Sequence, residues 1–151
     1  MKIHQYNTAL TWTGNKGKGT SNYRAYDRSY TVSIPGKPDL LGSSDTAFLG
    51  DASRYNPEEM LVMSLSSCHM LWYLHLCADA GIVVVDYQDH AVGYMQQHAD
   101  GSGQFTKVIL NPLVKVEDSS MTAQASKLHE KAHEMCFIAR SCNFPVLIAQ
   151  G

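Results

Sequence analysis

One segment, residues 56–81, constrains the fold more than any other part of the chain. It opens with Asn-Pro-Glu-Glu at 56–59, where Asn is a good helix N-cap, Pro is favoured at the first helical position and the acidic pair suits the positive end of the helix dipole. An apolar run then extends to about residue 80, and Gly81 is a stop signal. Since the run is apolar on nearly every side, the sequence predicts a long helix that is central and buried.

The remaining segments predict strands around a second helix. Residues 40–55 are polar and interrupted by Gly42 and Gly50, which indicates a loop or short turns. The predicted strands cover 3–12, 23–34, 82–97, 105–116 and 143–149, and the second helix covers 121 to about 140 with Ser119 or Ser120 as its cap. The first two strands are expected to form a hairpin. The order ββ-α-ββ-α-β is that of an α+β protein, and 151 residues without a linker or repeat predict a single domain, 1–151.

Composition limits the class of partner. The hydrophobic fraction is 44% and the charged fraction 17%, as expected for a globular protein, and the net charge of −2 offers no basic excess for nucleic acid or an anionic membrane. No secretory signal is recognised at the N-terminus, and the longest apolar stretch, 70–77, contains His75 and is judged too short to span a bilayer. We therefore expect a cytoplasmic protein with no nucleic-acid or membrane partner.

Four cysteines carry the candidate chemistry. Cys68 lies midway along the first predicted helix and Cys136 near the end of the second, so packing of the two helices would bring them close enough for a disulfide. In a reducing compartment such residues are either buried and inert or reactive, and the residues alone leave both interpretations open. Cys77 falls on the helix face opposite Cys68 and is predicted to be core, whereas Cys142 is a reserve partner for Cys68.

Two motifs resemble the OsmC/Ohr family. Asn-Pro-Glu-Glu-Met-Leu at 56–61 precedes Ser-Ser-Cys-His at 66–69, and Glu58 lies ten positions before Cys68, as in the family's helix start and peroxidatic cysteine. Ala-His-Glu-Met-Cys-Phe-Ile-Ala at 132–139 resembles the family's second helix with its resolving cysteine. The resemblance covers nearly the whole chain. It implies an α+β fold in which two central helices pack with antiparallel β-sheets in an intertwined homodimer.

The resemblance also implies a cysteine-based peroxidase that needs no cofactor. Cys68, as a thiolate, attacks the peroxide and becomes a sulfenic acid, which condenses with Cys136 to form a disulfide. A dithiol reductant then resets the pair. The apolar residues around the predicted site favour an organic hydroperoxide over hydrogen peroxide as the substrate.

A basic group near Cys68 would activate it, and three residues are candidates. The family's arginine lies at the first hairpin turn, where Lys16 stands roughly in its place. We favour Arg28 or Arg24, because a guanidinium can pair with Glu58 and still donate to the sulfur.

Glu58 raises a question of distance. Ten helical residues separate it from Cys68, roughly 15 Å along the axis. Glu58 must therefore come from another subunit or the helix must break, and we take the first as the hypothesis of a site shared across a homodimer.

Histidines offer a metal alternative. His129-Glu-Lys-Ala-His133 matches the His-Glu-x-x-His zinc pattern, and a set of Cys68, His75, His133 and Cys136 would also suit a metal. The default for these histidines is a hydrogen-bonded or surface position. His133 also shares a helix face with Cys136, where it can tune that thiol.

Aromatic residues offer a second function class, a non-catalytic binding protein for a hydrophobic small molecule. The residues that would line such a pocket are Tyr23, Tyr26, Tyr30, Tyr55, Trp72 and Tyr73. Core packing is their commoner role.

Overall fold

The computed structural model describes residues 1–149. The chain divides into two compact units, of which the first is Met1–Met60 and the second begins at Leu61. The single domain 1–151 stays a prediction.

The first unit holds a three-stranded antiparallel sheet. Its strands are β1 (Ala9–Trp12), β2 (Tyr30–Ser33) and β3 (Leu40–Gly42), in that order. The predicted hairpin is confirmed, although both strands are shorter than expected. The 3₁₀ turn at Thr46–Phe48 agrees with the loop or short turns expected at 40–55, whereas the expectation was wrong at Leu40–Gly42, which form β3. Gly42 pairs with Tyr30 of β2, and the Tyr30 ring packs so closely over it that an added Cβ would lie 2.3 Å from the ring.

Helix α1 (Pro57–Asp79) has the predicted start and stop. The Asn56 side-chain oxygen accepts a hydrogen bond from the backbone N–H of Glu59 (2.8 Å), and the Asn56 N–H donates to the Glu59 carboxylate (3.3 Å). This reciprocal capping box satisfies two backbone donors that the helix itself leaves free. Gly81 follows the last turn with φ of 70°, a conformation that glycine adopts without strain.

Only one stripe of α1 is buried, which corrects the expectation of a helix covered on all sides. The stripe is Leu65, His69, Tyr73 and Cys77, at the i, i+4 spacing of one helix face. Two large apolar side chains elsewhere on α1 are exposed, Met63 at 42% and Leu71 at 62% accessible, and the other large ones are only partly buried.

The apolar helix α1 is longer than the stretch 70–77 that was judged too short to span a bilayer. With 23 residues and a mean hydropathy of 1.3 in its most apolar window, it is long and apolar enough to cross a membrane by length and composition. Core helices of soluble proteins meet the same criterion.

The second unit contains a long hairpin that bends in the middle. Its strands are β4 (Val84–Asp89), β5 (Val92–Gln97), β6 (Gly103–Leu110) and β7 (Pro112–Val116). Single strands at 82–97 and 105–116 were therefore wrong, since each divides in two at His90 and Asn111. The Asp89 carboxylate accepts from the Asn111 N–H (2.7 Å), and the Asn111 side chain donates to the His90 carbonyl (2.8 Å). Beyond this corner β5 pairs with β6, and before it β4 pairs with β7, in separate sheets.

The second predicted helix is interrupted. A 3₁₀ turn at Ser119–Met121 leads into α2 (Thr122–Met135), and a short α3 (Phe137–Arg140) follows. Between them Cys136 has an extended backbone, with φ of −66° and ψ of 111°, so an unbroken helix over 121–140 was wrong. The cap was also wrong, because the Asp118 carboxylate accepts from the Ser120 N–H (2.9 Å). Strand β8 (Val146–Ile148) closes the chain by pairing parallel to β6, which adds a parallel edge to an otherwise antiparallel sheet.

Helix α1 joins two hydrophobic clusters of the second unit. One contains Tyr73, Cys77, Ile82, Ala125 and Ala132, and the other contains Leu65, Val108, Leu110 and Val146. The first packs α1 against α2, and the second packs α1 against β6 and β8. The two clusters contact the same stripe of α1, through Leu65 before Cys68 and through Tyr73 and Cys77 after it.

Candidate active site

The structure brings together the two cysteines that the sequence motifs pair. Cys68 is half-buried on α1, and its sulfur lies within hydrogen-bonding reach of Cys136, which is 1% exposed in the break between α2 and α3. All four cysteines are free thiols. The pair is thus a reduced dithiol formed by two different helical segments.

The break at Cys136 gives that thiol a distinct environment. Its sulfur accepts a hydrogen bond from the Ala139 N–H (3.4 Å) and so caps α3. Burial raises the pKa of Cys136 to about 11, and the hydrogen bond with Cys68 acts in the same direction. Cys136 is therefore a protonated thiol at neutral pH, and Cys68 is the more accessible member of the pair.

The other two cysteines have separate surroundings. Cys77 is 1% exposed within the cluster between α1 and α2, as predicted. The Cys142 thiol donates to the Ile138 carbonyl (3.3 Å), and burial raises its pKa.

Glu58 and the candidate basic residues belong to the first unit. Helix α1 runs from Pro57 to Asp79 without a break, so the helix-break route for Glu58 is not realised. Within its own unit, the charge of Glu58 adds to burial in raising the pKa of Tyr30.

Arg28 is engaged within its own loop. Its guanidinium donates to the carbonyl of Tyr26 (2.6 Å) and to that of Tyr23, and it lies over both rings at 4.1 and 4.4 Å from their centroids. Lys16 forms an ion pair with Asp27 at 2.9 Å. The roles of Glu58, Arg28, Arg24 and Lys16 at a thiol stay predictions.

Directly beside Cys68, His69 belongs to a buried polar stack. It is 1% exposed, and its Nε2 lies 2.9 Å from Nδ1 of His129 on α2. The ring of His129 stacks on that of Tyr73 with 4.0 Å between centroids. Burial, reinforced by the neighbouring histidines, lowers the pKa of His69 to about 4, and burial also lowers that of His129. Both histidines are therefore neutral at pH 7.

Asp89 approaches the same stack from β4. Ser66, one turn before His69, donates from its hydroxyl to the Asp89 carboxylate (2.5 Å). The negative charge of Asp89 favours protonation of His69 and His129, but burial outweighs it. Asp89 thus ties the corner of the hairpin to the cysteine-bearing helix.

The proposed metal ligands do not converge. His75 is exposed and lies 3.4 Å from Asp79, and His129 is bonded to His69 instead of sharing a ligand position with His133. Among residues 1–149, no group of three or more His, Cys, Asp or Glu side chains is placed to hold a metal ion. The zinc pattern and the four-residue ligand set are therefore not supported.

A groove of about 930 Å³ runs along α2 and is lined by residues of α2, β7 and β8. Its walls are mainly aliphatic, and the residues that supply polar or aromatic groups are Tyr73, Thr122, Ser126, Lys127, His129, Glu130 and His133. The buried Nδ1 of His133 has no hydrogen-bond partner within the described chain. Of the six aromatic residues proposed as a pocket, Tyr73 lies on this groove, whereas Trp72 meets Phe137 edge-on at 5.5 Å.

The stack of His69, Tyr73 and His129 was missed in the sequence. Its signal was the i, i+4 series in the first helix, which places His69 and Tyr73 on the same face as Leu65 and Cys77. A histidine on a buried stripe needs a polar partner. The partner on the second helix is not evident from local sequence.

The fold and the site together define a class: small α+β proteins with a reduced cysteine pair between a long helix and a broken one. The model of the OsmC-like protein family matches residues 50–149, and the chain belongs to this family.

Three known proteins are similar to this chain. An OsmC-like protein of unknown function from Vibrio cholerae is 32% identical and superposes with a TM-score of 0.86, over 97% of this chain and 99% of that one. The uncharacterized protein YmaD of Bacillus subtilis is 25% identical over 93% of this chain and 88% of its own. An organic hydroperoxide resistance protein from Elizabethkingia anophelis shares the fold at 19% identity, with a TM-score of 0.69 over 98% and 96% of the two chains.

Proposed function

We propose that this protein is a cysteine-based peroxidase that reduces organic hydroperoxides as part of a defence against oxidative stress. The observation that carries the proposal is the contact of two reduced thiols with unequal burial. The half-buried Cys68 is accessible to a peroxide, and the buried, protonated Cys136 lies within hydrogen-bonding reach of it. This asymmetry supports attack by Cys68 and resolution by Cys136.

The Cys68 thiolate attacks the distal oxygen of the hydroperoxide, the O–O bond breaks, and the alkoxide takes a proton from the solvent and leaves as an alcohol. The Cys136 sulfur then attacks the sulfenic acid of Cys68, forming the S–S bond and releasing water. A dithiol reductant exchanges with the disulfide and returns both thiols.

Two further observations support the proposal. The Elizabethkingia protein, whose name states organic hydroperoxide resistance, has the same fold. The large exposed apolar side chains of α1, Met63 and Leu71, would be covered by a second copy of the chain. We therefore propose a cytoplasmic homodimer in which Glu58 and Arg28 serve the thiols of the partner copy. A monomer in sedimentation analysis with full peroxidase activity would exclude that arrangement.

Thiol titration tests the proposed chemistry. One equivalent of cumene hydroperoxide should remove two of the four thiols, and dithiothreitol should restore them. Cys68→Ser should lose no thiol, whereas Cys136→Ser should leave a sulfenic acid that dimedone traps. Cys142→Ser is the matched control and should behave as the wild type, because that thiol is turned to the Ile138 carbonyl. If the wild type keeps all its thiols, the peroxidase proposal is wrong.

The groove along α2 favours a second candidate, a binding protein for a hydrophobic small molecule. Its mainly aliphatic walls suit an apolar ligand, and the His133 nitrogen that has no partner among residues 1–149 could bind a polar group of that ligand. Fluorescence of 1-anilinonaphthalene-8-sulfonate distinguishes the two candidates. Saturable binding, together with thiols that do not respond to peroxide, would favour the binding protein.

A further inference from the structure

Cys68 and Cys136 belong to different helical segments, so their contact depends on how α1 and α2 are held together. His69 is the next residue after Cys68, and His129 lies seven residues, about two turns, before Cys136 on the adjoining helix. Their side chains meet at 2.9 Å between Nε2 of His69 and Nδ1 of His129. The nitrogen contact therefore lies on the same pair of segments that carries the sulfur contact.

We propose that His69 and His129 are a positioning pair that sets α1 against α2 at the spacing where the oxidised Cys68 meets Cys136. The inference rests on the proposed peroxidase function and adds to it. The pair touches neither the peroxide nor the sulfurs. It acts on the resolving step, the condensation that forms the disulfide, and leaves the first attack by Cys68 to other groups.

Directional contacts are what this role requires. Apolar packing between the helices, through Ala125 and Ala132, is non-directional and tolerates small slides. The bond between His69 and His129 fixes one point, and the Tyr73 hydroxyl, which donates to the Ala125 carbonyl at 3.1 Å, fixes a second one turn away. These two directional hydrogen bonds in the buried contact between α1 and α2 define both the distance and the register of the two helices.

The surroundings keep the first bond intact at neutral pH. A hydrogen bond between two imidazoles needs a lone pair on one ring, which is lost if both rings carry a second proton. His69 is 1% exposed, and the Tyr73 ring covers His129 at 4.0 Å. A fixed distance between the Cys68 and Cys136 sulfurs matters because a sulfenic acid that does not condense quickly can react with a second peroxide. That reaction converts it irreversibly to a sulfinic acid.

Amide side chains allow the bond to be kept or removed at the same position. Glutamine places its amide near Nε2 of a histidine, and asparagine near Nδ1, so His69→Gln and His129→Asn retain a hydrogen-bonding group where the structure uses one. His69→Leu and His129→Leu remove it at similar volume. Each pair of variants loses the same imidazole ring, so the difference within a pair reports on the hydrogen bond and not on the stacking.

Two measurements follow the variants. The first is mass spectrometry after a small excess of cumene hydroperoxide, which separates the disulfide from the sulfinic acid with its two added oxygens. The second is the equilibrium of the Cys68–Cys136 disulfide with glutathione, which reports how well the fold holds the sulfurs together without any peroxide. Loss of one buried hydrogen bond should lower this effective concentration about tenfold in the leucine variants. The amide variants should stay within about twofold of the wild type.

The outcomes separate the inference from the function on which it rests. Sulfinic acid accumulation and a weaker disulfide in His69→Leu and His129→Leu, with rescue in the amide variants, support the positioning pair. If folded leucine variants form the disulfide as the wild type does, the positioning role is wrong while the peroxidase stands. If the wild-type thiols do not react with peroxide, the proposed peroxidase function is wrong. The glutathione equilibrium then still decides whether His69 and His129 position the two sulfurs. If the leucine variants do not fold, equal loss in the amide variants would overturn the inference and rescue would support it.

Discussion

Mild acid should weaken the folded protein through His69. The pKa of this residue falls from 6.5 to about 4 because it is buried on α1, with His129 and His133 facing it from α2 and the opposing charge of Asp89 facing it from β4. Between these two pH values His69 binds a proton in the unfolded chain but not in the folded one. The free energy of unfolding therefore falls as the pH falls from 6.5 to about 4, and it changes little below pH 4 through this residue. Above about pH 6.5 the full stability is present.

The size of the effect follows from the same shift. A fall from 6.5 to about 4 corresponds to about 3 kcal/mol, and allowance for solvent screening reduces this to about 2 kcal/mol over the whole window. That loss is a large part of the stability of a small domain. Urea unfolding between pH 7 and pH 4, at fixed protein concentration because an oligomer adds a concentration term, measures it directly.

Two variants make the acid test specific. His69→Gln keeps a hydrogen-bonding group but cannot titrate, so its stability should depend less on pH than that of the wild type. His75→Gln is the matched control on the same helix, since the His75 side chain is exposed, and it should keep the wild-type dependence. Equal pH dependence in the wild type and in His69→Gln would refute the assignment to His69.

Three further predictions concern stability and thiol chemistry. Asn56→Ala should cost about 1 kcal/mol in urea unfolding because it removes the capping box, and Asn56→Ser, which can rebuild it, should cost less. Leu65→Ala should cost about 3 kcal/mol, since Leu65 is fully buried between α1 and the sheet, whereas the volume-conserving Leu65→Met should cost about 1 kcal/mol; equal losses would contradict the packing described. Alkylation by iodoacetamide at neutral pH should modify Cys68 before Cys136, whose burial keeps it protonated, and the reverse order would contradict the assigned roles.

Local sequence signals predicted the elements whose causes are themselves local. The start of α1 was recognisable because Asn56, Pro57 and the following acidic residues act within one turn, and its end because Gly81 tolerates a positive φ. The corner of the hairpin could not be recognised from the sequence, because strand-like composition continues through His90 and Asn111. Only the hydrogen bonds around Asp89 reveal that pairing changes sheets there.

The candidate site divides in the same way. The motifs around Cys68 and Cys136 predict the pair from the residues that flank each cysteine, and the fold places the two sulfurs within hydrogen-bonding reach. The break of the second helix at Cys136 and the bond between His69 and His129 were not foreseen. The bond between His69 and His129 joins residues 60 positions apart, which meet only after the helices pack.

The sequence by itself determined that this is an α+β protein with a long, well-capped helix and two cysteines placed on its two helical segments. It did so because capping, periodicity and motif spacing are properties of neighbouring residues. Tertiary structure alone decided that Cys136 is buried and protonated, that Cys68 is the accessible thiol, and that a pair of neutral histidines lies across the contact between α1 and α2 beside them. Burial and the pKa of a buried group depend on everything that surrounds it in space, and no stretch of sequence contains that environment.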